Sequence, residues 1–376
     1  MHVLLLTTAY KNKFNPVNSL FFHDQAKALS NYGFKVGVIC SMPITFSNIL
    51  RSKRFVFSDE FYDDDKIKTY VRPFLSIPKL RKRTAKIRFE EGKFLFKKYI
   101  LENGKPDVIH VHTFLAGEIA IWIKKIYKIP FIVTEHSSNF ERNLFTKTNL
   151  NFAKRVFKNS SFNIAVSQQL VNSINKQLNS FKFEIIPNVV DVSFFKPQSD
   201  QSRLYDFISV GRLDDNKNQC QLIEAFYKAF ANDKKIKLLI VGDGPNKSNL
   251  QARILEYNMS KQIFLYGYAN RYDVLKFLQQ SKYFVSSSKV ETFGVVLIEA
   301  MSCGLPVLST KSGGPESIVK NSMLGTLCDL NDLEKEMLKI LKSNYNSDYI
   351  RKYIVDNFSE KIISKKLHSI YFEIIN

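Results

Sequence analysis

Two carboxylates, Glu291 and Glu299, bracket the stretch ETFGVVLIE, and their neighbours restrict the chemistry open to them. The preceding run YFVSSSKV has the composition of a buried strand ending in a small-residue loop. After Gly294, VVLIEAMSCG is long enough for roughly two to three helical turns, closed by Gly304 and Pro306. Val295, Val296, Leu297, Ile298, Ala300 and Met301 surround Glu299, so this helix is expected to be apolar on nearly every side and therefore buried. A buried carboxylate requires hydrogen-bond donors. The first N–H groups of the helix, near Gly294, Val295 and Val296, lack intrahelical acceptors and form an anion site. A phosphate at the helix start and hydroxyls one turn further in satisfy both features, and a nucleoside diphosphate sugar carries both. The plainer reading makes the two glutamates solvent-facing charges on a surface helix, but the flanking residues leave Glu299 no polar face.

Arg212 and Lys217 stand in VGRLDDNKNQ, between a strand and the helical pattern QLIEAFYKAF. A strand-end arginine and a lysine near the next helix start can grip a diphosphate together, one as a fork and the other as a point charge. Ion pairs with Asp214 and Asp215 within the loop are the alternative. VGDGP places Gly242 in a tight strand-end turn, although G-x-G without a third glycine is weak for dinucleotide binding. The paired glycines of Ser312-Gly313-Gly314-Pro315-Glu316 let backbone approach a ligand, or simply make a turn. His110 and His112 share a strand face and His136 ends the next strand, which raises the question of zinc. No acidic or thiolate partner sits at motif spacing, so satisfied core or cleft histidines are expected. Asp63-Asp64-Asp65 superficially matches a metal-binding D-x-D, but in FYDDDKIKTY it reads as a solvated loop before a short strand. Cys40, Cys220, Cys303 and Cys328 are scattered singly beside apolar segments, the pattern of free thiols in a reducing compartment.

These residues need elements to hold them, and short apolar strands alternate with helical patterns almost throughout. That alternation argues for parallel sheets covered by helices, an α/β class. Strands are expected at VLLLTT, KVGVIC, DVIHVH, PFIVTE, FNIAVS and FEIIPN, then at DFISVGR, KLLIVG, IFLYG, YFVSSS and PVLST. Asp191 to Arg203, polar and containing Pro197, is a linker between two doubly wound halves. At 376 residues the chain suits two domains. In such folds ligands bind beyond strand C-termini at switch points. Thr7, His112, His136, Arg212, Gly242 and Glu291 all fall at such ends.

The formal charge is +20, from 55 Lys+Arg against 35 Asp+Glu, which implies an anionic partner. The densest basic run, residues 79–98, interleaves Leu80, Ile87, Phe89, Phe94, Leu95 and Phe96 with its cations. It is expected either to dock on an anionic membrane surface or to pack its apolar stripe on its own domain. Nucleic acid is not expected, since no helix-turn-helix, RNP-type or zinc-finger pattern occurs. No apolar run approaches the ~20 residues that span a bilayer, and MHVLLLTTAYKNKF reads as a first core strand rather than a signal peptide. A cytoplasmic enzyme, peripheral on the inner face of a membrane if helix 79–98 docks, is the corresponding expectation.

With these parts assembled, the chain resembles the family-4 retaining glycosyltransferases of the GT-B fold, two facing Rossmann-like domains. YKNKFNPVNSLFFHDQAKAL resembles the family's loop after the first strand, with Ser19 where a glycine is often found. DVIHVHTFLAG, VTEHSS and IIPNVVDVSFFKP match N-domain and interdomain segments. VGRLDDNKN, VGDGP, ETFGVVLIEAMSCGLPV and GGPESIV match the donor domain in order, including E-x7-E preceded by R-x4-K. The resemblance implies an acceptor-binding domain over 1–192, completed by a C-terminal helix 359–376 that crosses back, and a nucleotide-sugar-binding domain over 204–358. It implies that Glu299 holds ribose hydroxyls and Glu291 the transferred hexose or N-acetylhexosamine. Backbone amides at Phe293, Gly294, Val295 and Val296 would meet sugar or phosphate oxygens, with Gly242 in the same pocket. Arg212 and Lys217 would neutralise the departing diphosphate, and His136 would line the sugar pocket. The implied donor is a UDP-sugar rather than a GDP-sugar, with no cofactor and no metal. The implied acceptor is a saccharide or a polyprenyl-diphosphate-linked sugar of surface polysaccharide synthesis. A nucleotide-sugar epimerase of the same fold, or a non-catalytic anionic-lipid-binding protein, are the alternatives.

Overall fold

The computed structural model describes residues 1–12, 20–45, 59–64, 66–76, 80–198 and 203–376. Ser19, Asp65 and Lys79 lie outside the described residues. The chain forms two compact units, one of Met1–Val166, Val171–Val189 and Glu360–Asn376, the other of Ser167–Leu170 and Val190–Ser359.

The first unit is built on strands β1 (His2–Thr7), β2 (Lys35–Ile44), β3 (Glu60–Asp64), β4 (Ile67–Leu75), β5 (Val108–His112), β6 (Phe131–Glu135), β7 (Phe162–Ala165) and β8 (Glu184–Ile185). Their order is β3-β4-β2-β1-β5-β6-β7-β8, and every pairing is parallel except β3 against β4. β1, β5 and β6 are buried along their whole length, as a sheet covered on both faces requires. Helices α1 (Leu20–Asn31), α2 (Arg81–Asn103), α3 (Gly117–Tyr127), α4 (Lys147–Asn159) and α5 (Gln168–Leu178) alternate with the strands. The order of strands reverses at β1, whose neighbours are β2 and β5, so a switch point falls there.

The second unit has an all-parallel sheet of β9 (Tyr205–Val210), β10 (Leu238–Val241), β11 (Ile263–Gly267), β12 (Ser281–Ser286), β13 (Val307–Thr310) and β14 (Gly325–Cys328). The order is β11-β10-β9-β12-β13-β14, with its own switch point between β9 and β12. Around it run α6 (Gln219–Phe230), α7 (Lys247–Glu256), α8 (Arg271–Gln279), α9 (Val295–Ser302), α10 (Pro315–Ile318), α11 (Leu333–Ile340) and α12 (Ser347–Phe358). The last helix, α13 (Glu360–Ile375), belongs to the first unit, where Ile363, Leu367, Ile370 and Tyr371 join the core of Val3, Leu5, Val38 and Ile132. The α/β architecture expected from the alternation is the observed one.

One expectation is corrected at the edge of the first sheet. The aspartate run is not a solvated loop, because Asp63 and Asp64 lie on β3, opposite Lys68 and Ile67 of β4. Asp63 pairs with Lys68 at 2.7 Å, and Asp64 pairs with Lys11 and with His23 Nε2. Charge on an edge strand discourages further strand pairing, which explains why a β-poor sequence is tolerated there.

Of the two readings of the basic helix α2, the packing of its C-terminal half fits an apolar stripe laid on its own domain, although not every apolar residue joins it. Leu95, Phe96 and Tyr99 are fully buried, whereas Phe94 and Leu101 are exposed. The Arg72 guanidinium lies 4.2 Å from the Phe94 ring centre and covers part of it. Gly37 of β2 leaves the room that the Tyr99 ring occupies, so the C-terminal half of α2 is held against its own sheet.

Candidate active site

In the second unit the loops after β9 and β12 are joined by hydrogen bonds. Asp214 Oδ1 accepts the N–H groups of Asn216 (3.1 Å) and Lys217 (3.0 Å), a tight side-chain turn. Asn216 Nδ2 donates to the Val290 carbonyl at 2.8 Å, and the Lys289 N–H donates to Asn216 O at 2.8 Å. Ser287 Oγ donates to Lys217 O (2.9 Å) and Asn218 O (3.1 Å). This lattice fixes the backbone of Lys217 and brings its ammonium onto Glu291 Oε2 as a partly buried ion pair. Lys217 thus pairs with the first glutamate of the motif and not with Asp214 or Asp215 of its own loop. Arg212 leaves the end of β9 with its side chain 66% exposed, and among the described residues its ion-pair contact is one of 3.5 Å with Asp214. Its guanidinium is therefore available to a ligand.

Glu291 is fixed from the other side by Ser312–Gly314. Its N–H donates to Ser312 O at 2.8 Å, and its carbonyl accepts the Gly314 N–H at 2.5 Å. Gly314 packs so closely on Phe293 that a Cβ would overlap the Phe293 backbone. Phe293 itself is 2% exposed, so its side chain is core and only its backbone is placed to meet a ligand. Gly294 takes φ +98 at the start of α9, a conformation glycine adopts without penalty, and no side chain caps the helix's first N–H groups. The Leu297 N–H is already bonded to Gly294 O at 2.9 Å, so Val295 and Val296 supply the open donors.

The expectation that α9 is buried on all sides is corrected here. Leu297, Ile298, Ala300, Met301 and Ser302 are buried, but Val295, Val296 and Glu299 are only half-buried and share one face. The apolar composition concealed this because two valines sit on the open side. Glu299 thus stands one turn beyond the helix start on the open face. Burial first, and the Glu299 charge second, push the Cys303 thiol up to about 12, as suits an inert cysteine. Gly242 follows β10 with φ +149, and its missing side chain lets the Gly211 carbonyl approach. Its position there is one of backbone packing beside the loop that carries Arg212.

His136 lies in the first unit, just past β6. Its Nε2 is 3.1 Å from His112 Nδ1, and the rings of Phe21 and Phe22 pack on it at 5.3 and 5.1 Å. Although part of its surface is open, this packing pushes the His136 pKa down to about 3, against the pull of a hydrogen bond that Asn188 accepts. His110 stacks on His112 at 4.4 Å and is satisfied on both nitrogens, by Tyr371 Oη (2.6 Å) and Thr134 Oγ1 (2.7 Å). Burial lowers His110 to about 3 and His112 well below its ordinary value. The three rings are thus neutral at neutral pH. No cluster of His, Cys, Asp or Glu among the described residues is arranged to hold a metal ion.

One buried group was missed from sequence. Glu135 accepts N–H bonds from Phe114 (2.9 Å), His136 (3.0 Å) and Ser137 (2.8 Å), fixing the backbone that carries His136. Burial raises its pKa to about 7 despite those donors. A carboxylate closing an apolar strand beside His136 was the available signal. The role of Gly314 was not readable for a different reason, since its partners Glu291 and Phe293 are distant in sequence.

Residues 20–194 match the family described as Glycosyltransferase Family 4, and residues 192–356 match Glycosyl transferases group 1. A UDP-Gal:alpha-D-GlcNAc-diphosphoundecaprenol alpha-1,3-galactosyltransferase of Escherichia coli is 26% identical, over 94% of this chain and 92% of its own. An alpha-monoglucosyldiacylglycerol synthase of Acholeplasma laidlawii is 23% identical, over 74% of this chain and 79% of its own. Among solved structures, the HepE protein of Anabaena in complex with UDP and glucose superposes with a TM-score of 0.74 at 18% identity, covering 99% of this chain and 100% of that one.

Proposed function

The chain belongs to the family-4 glycosyltransferases of GT-B fold, and from that membership we propose a retaining, metal-independent transfer of a hexose or N-acetylhexosamine from a UDP-sugar to a lipid-linked or saccharide acceptor. The observation that carries this reading is the convergence, at the switch point of the second sheet, of Lys217, Glu291, the uncapped start of α9 and the open-face Glu299.

Breaking the anomeric C–O bond leaves positive charge on the sugar and negative charge on the diphosphate. Cationic and N–H groups already fixed in place stabilise that charge more in the transition state than in the ground state. Lys217, Arg212 and the N–H groups of Val295 and Val296 have this role. Glu299 accepts from the ribose hydroxyls and Glu291 from hydroxyls of the transferred sugar. His136, held neutral, lines the sugar pocket without adding charge, a role that follows the resemblance. Attack on the same face as the leaving group, with a phosphate oxygen taking the acceptor proton, needs no protein nucleophile; this step follows the resemblance to retaining enzymes. The cations present supply the charge compensation a divalent ion would otherwise give. The lipid-linked class of acceptor draws on one relative named for a GlcNAc-diphosphoundecaprenol substrate and another named for synthesis of monoglucosyldiacylglycerol. Docking on an anionic membrane through residues of α2 belongs to the same reading, supported by the net charge of +20.

The test is product formation from a panel of UDP- and GDP-sugars, with and without a lipid-linked sugar acceptor and with and without EDTA. Turnover that requires acceptor, retains the anomeric configuration and is unchanged by EDTA is expected. Conversion of donor alone would instead indicate an epimerase, and loss of turnover in EDTA would remove the metal-independent mechanism.

A further inference from the structure

The first unit contains a cavity of about 620 Å³ that none of the site residues above uses. It is lined by the carboxyl end of β1 and by Ile39 and Ser41 of β2, beside the switch point of the first sheet, and by residues of α2, α3 and α4. Its size falls in the ~300–1,000 Å³ range of small-molecule pockets. The walls are mostly apolar, with Leu6, Ile39, Phe89, Ile119 and Phe152 prominent. Gly92 sets its inner limit, because the absent side chain there lets α2 close onto Ile119 of α3. N-terminal to that contact the two helices leave space between them.

Arg88 is the exception to the apolar lining. Its Nε is shut off from solvent and has no hydrogen-bond partner, and none of its nitrogens forms an ion pair with an acid among the described residues. The acids nearest along α2 are engaged elsewhere, Glu90 with Lys93 (2.8 Å), Glu91 with Arg72 (2.7 Å) and Glu102 with Lys98 (2.5 Å). At the rim, Glu118 is taken by Arg155. An arginine does not shed its proton, so a mostly buried guanidinium without an anion is costly unless an anion arrives. Lys86, exposed on the same helix, adds a second cation to the lining.

From this juxtaposition we infer that the cavity binds a lipid phosphate, with its apolar chain in the pocket between α2 and α4 and its phosphate or diphosphate against Arg88 and Lys86. The inference rests on the glycosyl-transfer reading and deepens it, because a sugar carried on such a lipid is then the acceptor. Chain and charge each contribute, so neither alone binds as well as the two together.

The experiment uses the full chain and three probes: farnesyl phosphate, which carries both features, farnesol, which has only the chain, and inorganic pyrophosphate, which has only the charge. UDP is measured in parallel by thermal shift as a report on the second unit. Farnesyl phosphate is expected to bind saturably and at least tenfold more tightly than either other probe. Arg88→Gln is expected to lower that affinity tenfold or more while the UDP-induced shift persists. Ala85→Trp, at an exposed position on the cavity wall, blocks the chain without touching Arg88 and is expected to weaken farnesyl phosphate while leaving the UDP shift in place. Farnesol binding as tightly as farnesyl phosphate, pyrophosphate competing fully, or Arg88→Gln and Ala85→Trp both leaving affinity unchanged would each overturn the inference. A protein that binds UDP but no farnesyl phosphate loses the lipid site and keeps the transferase reading. One that binds no nucleotide at all loses the transferase reading itself.

Discussion

Lys217 and Glu291 neutralise each other across two loops that are otherwise joined through Asn216 and Ser287. A diphosphate must therefore compete with a carboxylate for the lysine. Lys217→Ala is expected to reduce kcat by on the order of 10²–10³, the usual cost of losing one preorganised transition-state donor. Glu291→Gln separates binding from catalysis, since freeing the ammonium should tighten UDP severalfold while transfer falls. Calorimetry with UDP beside steady-state rates distinguishes the two effects, and weaker UDP binding in Glu291→Gln would contradict the competition. Glu299→Ala is expected to act mainly on donor KM, by roughly 10- to 100-fold for a lost charged hydrogen bond. The buried histidines predict a pH dependence of folding. His110 and His136 titrate near 3 in the folded protein and near 6.5 when unfolded, so the unfolded chain binds more protons over that interval. Stability should fall as pH drops below about 6.5, with a limiting slope of about 1.4 kcal/mol per pH unit for each ring. Glu135, raised to about 7, works in the opposite direction between pH 7 and its unfolded value near 4.5, so the net loss steepens once that window is passed. Urea melts from pH 7.5 to 4 would record this profile, and a flat one would mean that the rings are solvated.

Among the elements, Gly314 carries the sharpest expectation. Any side chain there meets the Phe293 backbone, and the same loop holds Glu291 in register. Gly314→Ala should cost about 1–3 kcal/mol through overpacking, read as a lowered Tm, and should diminish the UDP shift. Element identity was largely readable from sequence because a parallel sheet demands unbroken apolar strands, and runs such as DVIHVH and PFIVTE have no other use. Strand β3 was missed, although the short strand after it was expected, because edge-strand acids override β propensity. The helices from 333 to 358 were missed because no strand pattern separates them. The motif around Glu291 and Glu299 was readable because its spacing is local. Its geometry was not, since the open face of α9 is set by what packs on the other side. On α2 the sequence left docking and packing on its own domain open, and only the fold shows that Phe96 and Tyr99 are inside while Phe94 stays outside.

For the whole molecule, two units with separate sheets predict separable responses to ligand. Hydrogen exchange with UDP should slow the loops after β9 and β12, within Val190–Ser359, whereas farnesyl phosphate should slow α2 and α4 in the first unit. The reverse pattern would contradict the assignment of donor and acceptor to their units. The excess of 20 positive charges predicts that binding to vesicles containing anionic lipid weakens as salt rises, because exposed charges are screened beyond ~8 Å at physiological ionic strength. Flotation that is insensitive to salt, or absent, would remove the membrane-docking reading. No helix among the described residues is long and apolar enough to cross a bilayer.

The return of α13 to the first unit has a consequence for biosynthesis. Tyr371 closes against His110 at 2.6 Å, and Ile363, Leu367 and Ile370 complete the hydrophobic interior around β1 and β2. Those side chains leave the ribosome only after all of Val190–Ser359 has emerged, so the half made first has to wait, unfinished, for the half made second. A nascent chain halted at residue 359 should hold a nucleotide-competent later half beside an earlier half that proteases still cut, which makes the final helix the latch that decides when the acceptor-side unit becomes native.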